Sequence, residues 1–339
     1  MADILNLIRE KDLVDYARAY DYQTVYKGQK LFTPRKVEDI KFRYMQLTEG
    51  GSLPVAARVH SLDAEARIGD RPNFEEVNVE QMLIKEKINM TERISKYLGN
   101  SASDNAVKSF VYNDANNMMS RVLTRAEVAN MELLSTGKVT VNENNVKMEV
   151  DYKLPANNRI ALGDWSDPTF DILSDIQRVL DLAKSKGQTI VRAFANSSVI
   201  KYITANEGVK AYWEKKTDIM TDSAVITWLK QQFNFEIVPV DEVYKDSALG
   251  STTHKFFKDD TITFVNTLGA IGEGLYGVTP EELELNDGKY EFDEKMFVAL
   301  TRWKNPDPVG VWTKASALYV PVVKDISGMF IGTVTKSSS

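Results

Sequence analysis

The longest periodic stretch of the sequence runs from Asp104 to about Thr136 and limits the folds open to this chain. Asp104 suits an N-cap and Gly137 a C′ position, so we predict one helix over 104–136. At 1.5 Å per residue it would be about 50 Å long, well beyond an average globular helix. It lacks the charged flanks of a coiled coil, which favours packing along a sheet. Its apolar residues recur every three or four positions: Val107, Val111, Ala115, Met118, Val122, Ala126, Ala129 and Leu133.

Strand patterns lie on both sides of this helix. Residues 138–152 alternate apolar and polar side chains around a polar turn, which predicts a β-hairpin. Residues 40–45 and 82–88 alternate in the same way and are separated by a long polar segment. We interpret 32–90 as one extended β-ribbon with a long tip. Because two strands bury too little surface to offset their chain entropy, this ribbon needs support from elsewhere.

The stretch 167–312 reads as a compact α/β region. Asp167 and Pro168 are predicted to be the N-cap and first residue of a helix that ends at Gly187. Short strand patterns occupy 189–194 and 235–240, with helical patterns after Ser197 and Asp222. The chain then returns to β patterns at 295–303, 316–323 and 328–334.

Composition excludes several classes of function. The chain has 339 residues, 43% of them hydrophobic, which is enough for a large core. It contains no cysteine, so thiolate catalysis, disulfides and cysteine-based zinc sites are excluded. Its net charge of −6 argues against a nucleic-acid-binding surface. The N-terminus lacks a signal-peptide pattern and no apolar run is long enough to span a membrane, so we expect a soluble, intracellularly made protein.

A glycine-rich stretch, TLGAIGEGLYGVTPEE at 267–282, resembles a nucleotide-binding loop because it follows the apolar run TITFV. Its order is G-x-x-G-x-G rather than G-x-G-x-x-G, and no Lys-Ser or Lys-Thr pair follows. Glu273 would also place a carboxylate where a phosphate should bind. We therefore expect turns with positive φ rather than a ligand, and a capping box from Thr279 to Glu282 at the start of a short helix.

No catalytic or metal-binding constellation emerges from the sequence. Ser198 and Lys201 match S-x-x-K, but the S-D-N triplet lies upstream and K-T-G is absent. His60 and His254 lack metal-ligand spacing. We therefore expect no enzyme activity, no catalytic residue, no metal and no cofactor. The remaining carboxylates are interpreted as a solvated face: Asp241, Glu242, Asp259, Asp260, Glu281, Glu282 and Glu284.

Charges of both signs are concentrated at the tip of the predicted ribbon. They fit either a solvated loop or ion pairs with another copy of the chain, which would set register and partner choice more than affinity. The candidate contact residues are Arg58, Asp63, Glu65, Arg67, Asp70 and Arg71.

Two stretches resemble the lambda-type major capsid proteins of tailed bacteriophages, the capsid protein E family. The ribbon segment PVAARVHSLDAEARIGDRPNFEEVNVEQMLIKEKINMTE is similar to the E-loop of that family. LGAIGEGLYGVTPEE is similar to the stretch after a strand of its apical domain. The order of arm, ribbon, long helix, hairpin, α/β region and returning strands also matches over nearly the whole chain.

This resemblance implies an α+β chain with the Hong Kong 97-type capsid fold. The implied parts are an N-arm (1–31), an E-loop (32–90), a P-domain (91–166), an A-domain (167–312) and strands that return to the P-domain (313–336). The P-domain would contain the spine helix 104–136 and the hairpin 138–152.

The resemblance also implies a function and partners. Copies would assemble into hexamers and pentamers of an icosahedral shell that encloses double-stranded DNA, without sequence-specific binding and without a membrane. We expect a separate scaffolding protein, because the lead before the ribbon is too short for a fused one, and a portal protein at one vertex. Family members often carry a decoration protein, on which this sequence is silent. The chain would be made in the bacterial host cytoplasm and reside in the virion.

Two other classes remain as alternatives. An encapsulin-like compartment would share the fold but enclose an enzyme instead of DNA. An α/β enzyme would need converging polar residues in 167–300. The acidic balance suits the capsid hypothesis, because an inner wall that does not grip DNA would let the genome slide in.

Overall fold

The computed structural model describes residues 26–47, 56–57, 74–91, 104–213, 219–246, 252–284, 297–307 and 309–335. Helices and strands are numbered in chain order. The helices are α1 (Lys27–Leu31), α2 (Asp104–Thr136), α3 (Ile172–Ser185), α4 (Ser197–Ala205), α5 (Glu207–Trp213), α6 (Asp222–Phe233) and α7 (Pro280–Glu284). The strands are β1 (Phe32–Lys36), β2 (Lys41–Leu47), β3 (Phe74–Glu80), β4 (Met82–Thr91), β5 (Lys138–Glu143), β6 (Val146–Asp151), β7 (Arg159–Asp164), β8 (Arg192–Ala195), β9 (Glu236–Pro239), β10 (Val243–Tyr244), β11 (His254–Lys255), β12 (Thr261–Val265), β13 (Gly272–Gly277), β14 (Ala299–Pro306), β15 (Val309–Val323) and β16 (Met329–Thr335).

The chain divides into two compact units, each built from separate stretches of sequence. Unit 1 comprises 1–42, 79–130 and 273–322. Unit 2 comprises 43–78, 131–272 and 323–339. Neither unit follows the linear order of predicted segments, because each collects strands that are far apart in the sequence.

The long helix α2 occupies the residues that the periodicity predicts, Asp104–Thr136. Its apolar face is buried from Ala115 to Leu133. The helix ends at Gly137, whose φ of 72° is the left-handed conformation that glycine adopts most easily. The Gly137 N–H donates to the carbonyl of Leu133 over 2.8 Å, which closes the last turn.

Unit 1 contains a five-stranded sheet organised around the 15-residue strand β15. β15 pairs antiparallel with β14 through Ala299–Pro306 and with β4 through Met82–Thr91. It also pairs with β13, which in turn pairs with β1. Tyr319 and the residues two and four positions before it on β15 are buried, so this part of the strand contributes to the core of unit 1.

The ribbon interpretation of 32–90 is therefore only partly correct. A two-stranded ladder does form, but β2 pairs with β3, which the prediction assigned in part to the polar tip. The later alternating run, predicted to pair with the first strand, is instead β4 and joins β15. Gln81 separates β3 from β4 and is buried, and its side-chain amide donates to the carbonyl of Leu275 over 3.3 Å. Pairing with β15 buries more apolar surface than a free ribbon would, which explains the difference.

Unit 2 contains a second five-stranded sheet in the order β7-β16-β12-β8-β9. β7 lies parallel to β16 and β8 lies parallel to β9, whereas β12 is antiparallel to both its neighbours. Apolar residues of helices α3, α4, α5 and α6 share one core cluster with this sheet. The C-terminal end of α2 joins it as well, because Thr263 Oγ1 donates to the Leu134 carbonyl over 2.8 Å.

In unit 2 the predicted hairpin is confirmed, and one predicted helix begins later than expected. The hairpin forms from β5 and β6, and Asn144 and Asn145 take the positive φ angles (50° and 64°) of a tight type I′ turn. Helix α3, however, begins at Ile172 with Asp171 as N-cap, four residues later than the Asp167-Pro168 prediction. Asp167 instead accepts hydrogen bonds from the backbone and hydroxyl of Thr169 in the preceding turn. Asp171 can cap the helix in the same way, and it directly precedes the buried residue Ile172.

Candidate subunit-assembly elements

The base of the ribbon is a two-stranded ladder edged by exposed ion pairs. Lys41 Nζ lies 3.1 Å from a Glu80 carboxylate oxygen, and Arg43 lies 3.5 Å from Glu76. All four side chains are at least 45% exposed, so each pair contributes little stability by itself. Tyr44 on β2 has a buried hydroxyl without a hydrogen-bond partner in the described residues, and burial raises its pKa. The six predicted tip residues lie outside the described residues: Arg58, Asp63, Glu65, Arg67, Asp70 and Arg71.

The segment that precedes β1 is fixed to the long helix by buried polar contacts. The Gly28 N–H donates to Glu127 Oε1 over 2.7 Å, and Tyr26 shares a 2.7 Å hydrogen bond with Thr124. A Cβ at Gly28 would lie 2.5 Å from Glu127 Oε2, so only glycine fits this approach. The sequence pattern gave no sign of the contact, because Glu127 falls among the polar positions of an apparently solvated helix face.

The same buried network reaches the central strand of the sheet. Asn130 Nδ2 donates to Glu127 over 3.3 Å, and the Tyr319 hydroxyl donates to Asn130 Oδ1. Glu127 and Asn130 are 2% and 1% exposed, so the carboxylate and amide are held in the core of unit 1 by hydrogen bonds. These hydrogen bonds therefore connect helix α1, helix α2 and strand β15.

The glycine-rich stretch allows neighbouring residues to pack closely against it. None of its glycines has positive φ, which contradicts our expectation of left-handed turns; the positive-φ glycines of the described residues are Gly137 and Gly187. Gly274 and Gly277 lie on β13 instead. A Cβ at Gly274 would lie 2.8 Å from the Tyr319 hydroxyl, and one at Gly277 would lie 2.0 Å from Gln81 Oε1. The missing side chains make room for neighbouring strands.

Helix α7 is fixed to the sheet of unit 1 by two of its three glutamates, Glu281 and Glu282. Glu281 is 6% exposed and accepts hydrogen bonds from Lys314 Nζ and, over 3.0 Å, from Ser316 Oγ. Lys85 Nζ lies 3.7 Å away on β4. Burial alone would raise the pKa of Glu281, but the hydrogen bonds from Lys314 and Ser316 outweigh it, so the pKa is lowered. Glu282 binds Lys36 of β1 over 2.5 Å.

The solvated-face interpretation is therefore wrong for Glu281 and Glu282. Their basic partners come from distant strands, which no local pattern reveals. Glu282 also accepts the Thr279 N–H over 2.5 Å, which forms one half of the expected capping box. The Thr279 hydroxyl does not complete it, because within the described residues this hydroxyl has no hydrogen-bond partner.

The remaining singled-out residues of unit 2 have structural contacts. Asp241 accepts from the N–H of Ser197 over 2.7 Å at the start of α4, the helix that carries the S-x-x-K match. Asp259 binds Lys255 and Asn196. His254 Nε2 lies 2.7 Å from an Asp246 oxygen, and His60 lies outside the described residues. Across the described ranges, no cluster of histidine, aspartate and glutamate could hold a metal ion.

In the part of the chain that the structure covers, no helix combines the length and the apolar character needed to cross a membrane.

Solved structures share this architecture over nearly their whole length, which shows the fold. A protein assigned as the capsid protein of an Escherichia coli CFT073 prophage aligns with a TM-score of 0.64 at 16% identity, covering 97% of this chain and 99% of that one. A phage-related protein from Bordetella bronchiseptica RB50 aligns at 0.57 with 13% identity, covering 95% of each. The capsid of a native GTA particle aligns at 0.50 with 12% identity, covering 94% and 96%. The chain has the α+β Hong Kong 97-type capsid fold.

The family follows from a sequence comparison. The family model of phage major capsid protein E matches residues 12–334. The chain belongs to this family, and the predicted resemblance is confirmed. The chain is therefore a structural protein of the phage capsid and a component of the virion. A search of the curated proteins found no significant match to the sequence.

Proposed function

We propose that this chain is the major head protein of a tailed bacteriophage, whose copies form the hexamers and pentamers of an icosahedral shell around packaged double-stranded DNA. The family match over 12–334 is the observation that carries this proposal. Assembly would take place in the host cytoplasm with a separate scaffolding protein. A portal protein would occupy one vertex, and a decoration protein could be added to the finished shell. The chain would act through its surfaces and not as an enzyme.

The proposal of a shell is supported by the ribbon, which has too little packing to be stable by itself. Within the described residues β2 and β3 pair only with each other, and their ion pairs are exposed. Such a ladder is marginal in water, so other copies of the chain would supply the missing packing. Because each subunit would make many contacts in a closed shell, modest contacts suffice for a stable particle.

We further propose the division into parts that the resemblance implies. Residues 1–31 would be the N-arm, 32–90 the E-loop, 91–166 the P-domain, 167–312 the A-domain, and 313–336 the returning strands. In the assembled shell the mixed charges of the E-loop tip would pair with a neighbouring subunit: Arg58, Asp63, Glu65, Arg67, Asp70 and Arg71.

Electron microscopy of the chain expressed alone and with its genomic neighbours tests the shell. We expect closed icosahedral particles with the neighbours present, and nuclease-protected DNA in particles from phage-producing cells. Particles filled with an enzyme instead of DNA would contradict the phage function and support a compartment. The absence of particles under every condition would contradict shell formation itself.

Charge substitutions at the tip test the contact residues separately. Arg67→Glu should lower the yield of shells, whereas Arg67→Lys keeps the positive charge and should retain most of it. Equal yields from the two variants would show that Arg67 is merely solvated.

A further inference from the structure

Each of the two five-stranded sheets is completed by one of the last two strands of the described chain. In unit 1, β15 pairs with β4, β13 and β14, which all precede it in the sequence. In unit 2, β16 lies between β7 and β12. No strand or helix of the described residues follows β16. The strands that hold each sheet together are therefore synthesised after the strands that they join.

The sheet of unit 1 depends on β15 for most of its pairing. Among the described strands, β4 and β14 each pair with β15 alone, and without it β13 would keep only β1. Ala317, Tyr319 and Val320 of β15 are at most 2% exposed, and the Tyr319 hydroxyl donates to Asn130 of α2. Because isolated strands and strand pairs bury too little surface to be stable in water, this sheet cannot close before β15 is present.

The sheet of unit 2 depends on β16 in the same way. Among the described strands, β7 pairs with β16 alone, and β12 would lose one of its two partners. Phe330 and Val334 of β16 belong to the core cluster that the sheet shares with helices α3 to α6. At Gly332 a Cβ would lie 2.6 Å from Leu162 of β7 and 3.2 Å from Ile262 of β12, so the strand fills the space between them closely.

The turn that leads into β16 accepts hydrogen bonds from two distant parts of unit 2. Asn158 is fully buried, and its Nδ2 donates to the carbonyls of Ser327 and Met329 over 2.9 Å each. Gln188 Nε2 donates to the Ser327 hydroxyl over 3.2 Å. Before this turn is made, the Asn158 amide has neither acceptor, and burying it unpaired is unfavourable. The segment before β7 therefore also depends on the late turn.

We propose that β15 and β16 form a chain-completion checkpoint: neither sheet closes, and no copy enters a shell, until residues 309–335 have emerged from the ribosome. The consequence for assembly rests on the proposed function, whereas the order of folding does not. Domains generally fold as units, N-terminal first, during synthesis. Here both units require pairing between strands that are far apart in sequence, which is slow to form. An incomplete copy therefore lacks the folded surfaces that other copies would bind.

Pulse proteolysis of ribosome-bound chains tests the order of folding. The whole chain is followed after Ser339 by a linker that either keeps residues 309–335 inside the exit tunnel or lets them emerge. With the short linker we expect both units to be digested as readily as an unfolded chain, and with the long linker we expect both to resist digestion. Equal resistance or equal sensitivity of the two chains would overturn the proposal.

Two aspartate substitutions in β16 test whether its insertion controls entry into the shell. Phe330→Asp places a carboxylate at a fully buried position, so unit 2 of the long-linker chain should stay sensitive to protease. Thr333→Asp adds the same charge at an exposed position of the same strand and should leave unit 2 resistant.

The same two variants are then each co-expressed with the unaltered chain, and their share of the purified shells is counted by mass spectrometry. We expect Phe330→Asp copies to be at least about tenfold rarer in shells than Thr333→Asp copies, because the former remain incompletely folded. Equal incorporation of the two variants would overturn the checkpoint.

The outcomes separate this inference from the proposed function. Folding of either unit before residues 309–335 emerge, or ready entry of Phe330→Asp copies into shells, contradicts the checkpoint and leaves the capsid function standing. Unaltered chains that fold in the expected order but never form shells contradict the capsid function and leave the order of folding standing.

Discussion

The buried carboxylate of Glu127 accepts the backbone N–H of Gly28 over 2.7 Å, although 99 residues separate the two in sequence. Asn130 and Tyr319 extend this contact to the central strand of the sheet. The start of the described chain is therefore tied to the long helix and to β15.

Replacing Gly28 by alanine should destabilise the chain. The new Cβ would lie 2.5 Å from Glu127 Oε2 and 2.8 Å from Asn130 Cβ, closer than real Cβ atoms approach other atoms. We expect a loss of about 1–3 kcal/mol in the free energy of unfolding, measured by urea denaturation of the unassembled chain. Gly269→Ala is the matched control, because its Cβ meets only an ordinary 3.7 Å contact and should change little. Equal stability of both variants would refute the close approach.

Substitutions at Glu127 test the hydrogen bond itself. Glu127→Ala removes the acceptor of the Gly28 N–H and should lower the free energy of unfolding by about 1–3 kcal/mol. Glu127→Gln keeps a carbonyl oxygen at the same place and should lose less. Amide hydrogen exchange at Gly28 gives the direct readout: faster exchange in Glu127→Ala than in Glu127→Gln is expected. Unchanged exchange in both would mean that another group protects this amide.

Acid should weaken the chain partly through Glu281. Its folded-state pKa is lowered below the unfolded value of about 4.3, so its stabilisation is present above that pH and lost as the pH falls through the folded pKa. Glu281→Gln should therefore be less stable at pH 7 but lose less stability on acidification below about pH 4.3 than the unaltered chain. Denaturation midpoints across pH measure this. Glu75→Gln, at an exposed carboxylate, should keep the unaltered slope, and a parallel profile for Glu281→Gln would contradict the assignment.

The β5–β6 turn offers a substitution that should stabilise. Asn145 has φ of 64°, where glycine has no steric penalty and a β-branched residue has a large one. Asn145→Gly should raise the free energy of unfolding by several tenths of a kcal/mol, and Asn145→Val should lower it by about 1–2 kcal/mol. Thermal unfolding of the two variants checks the order. A more stable valine variant would exclude the type I′ turn.

Sequence reasoning succeeds where the determinants are local. Helix α2 and the β5–β6 hairpin follow from periodicity, the Gly137 terminator and the asparagine turn, all within a few residues of each other. The shift of the α3 start to Ile172 is an error of the same local kind, because Asp167 and Asp171 are both good caps and only packing decides between them.

The failures concern pairings between distant strands. Nothing in the alternation of β4 indicates that it pairs with β15 rather than with the earlier strand of the ribbon. Glu281 looks solvated until Lys314 and Lys85 are brought beside it. Likewise, Gly274 and Gly277 are explained by Tyr319 and Gln81 and not by their own backbone angles. The family resemblance supplied the fold because it encodes these distant pairings as a whole.

Sedimentation velocity of the purified chain, with and without its co-expressed genomic neighbours, tests most directly whether copies of the chain assemble with one another. We expect the 38.2 kDa chain to convert into particles of many subunits as concentration rises or when the neighbours are present. A single monomeric species at every concentration and in every co-expression would contradict it.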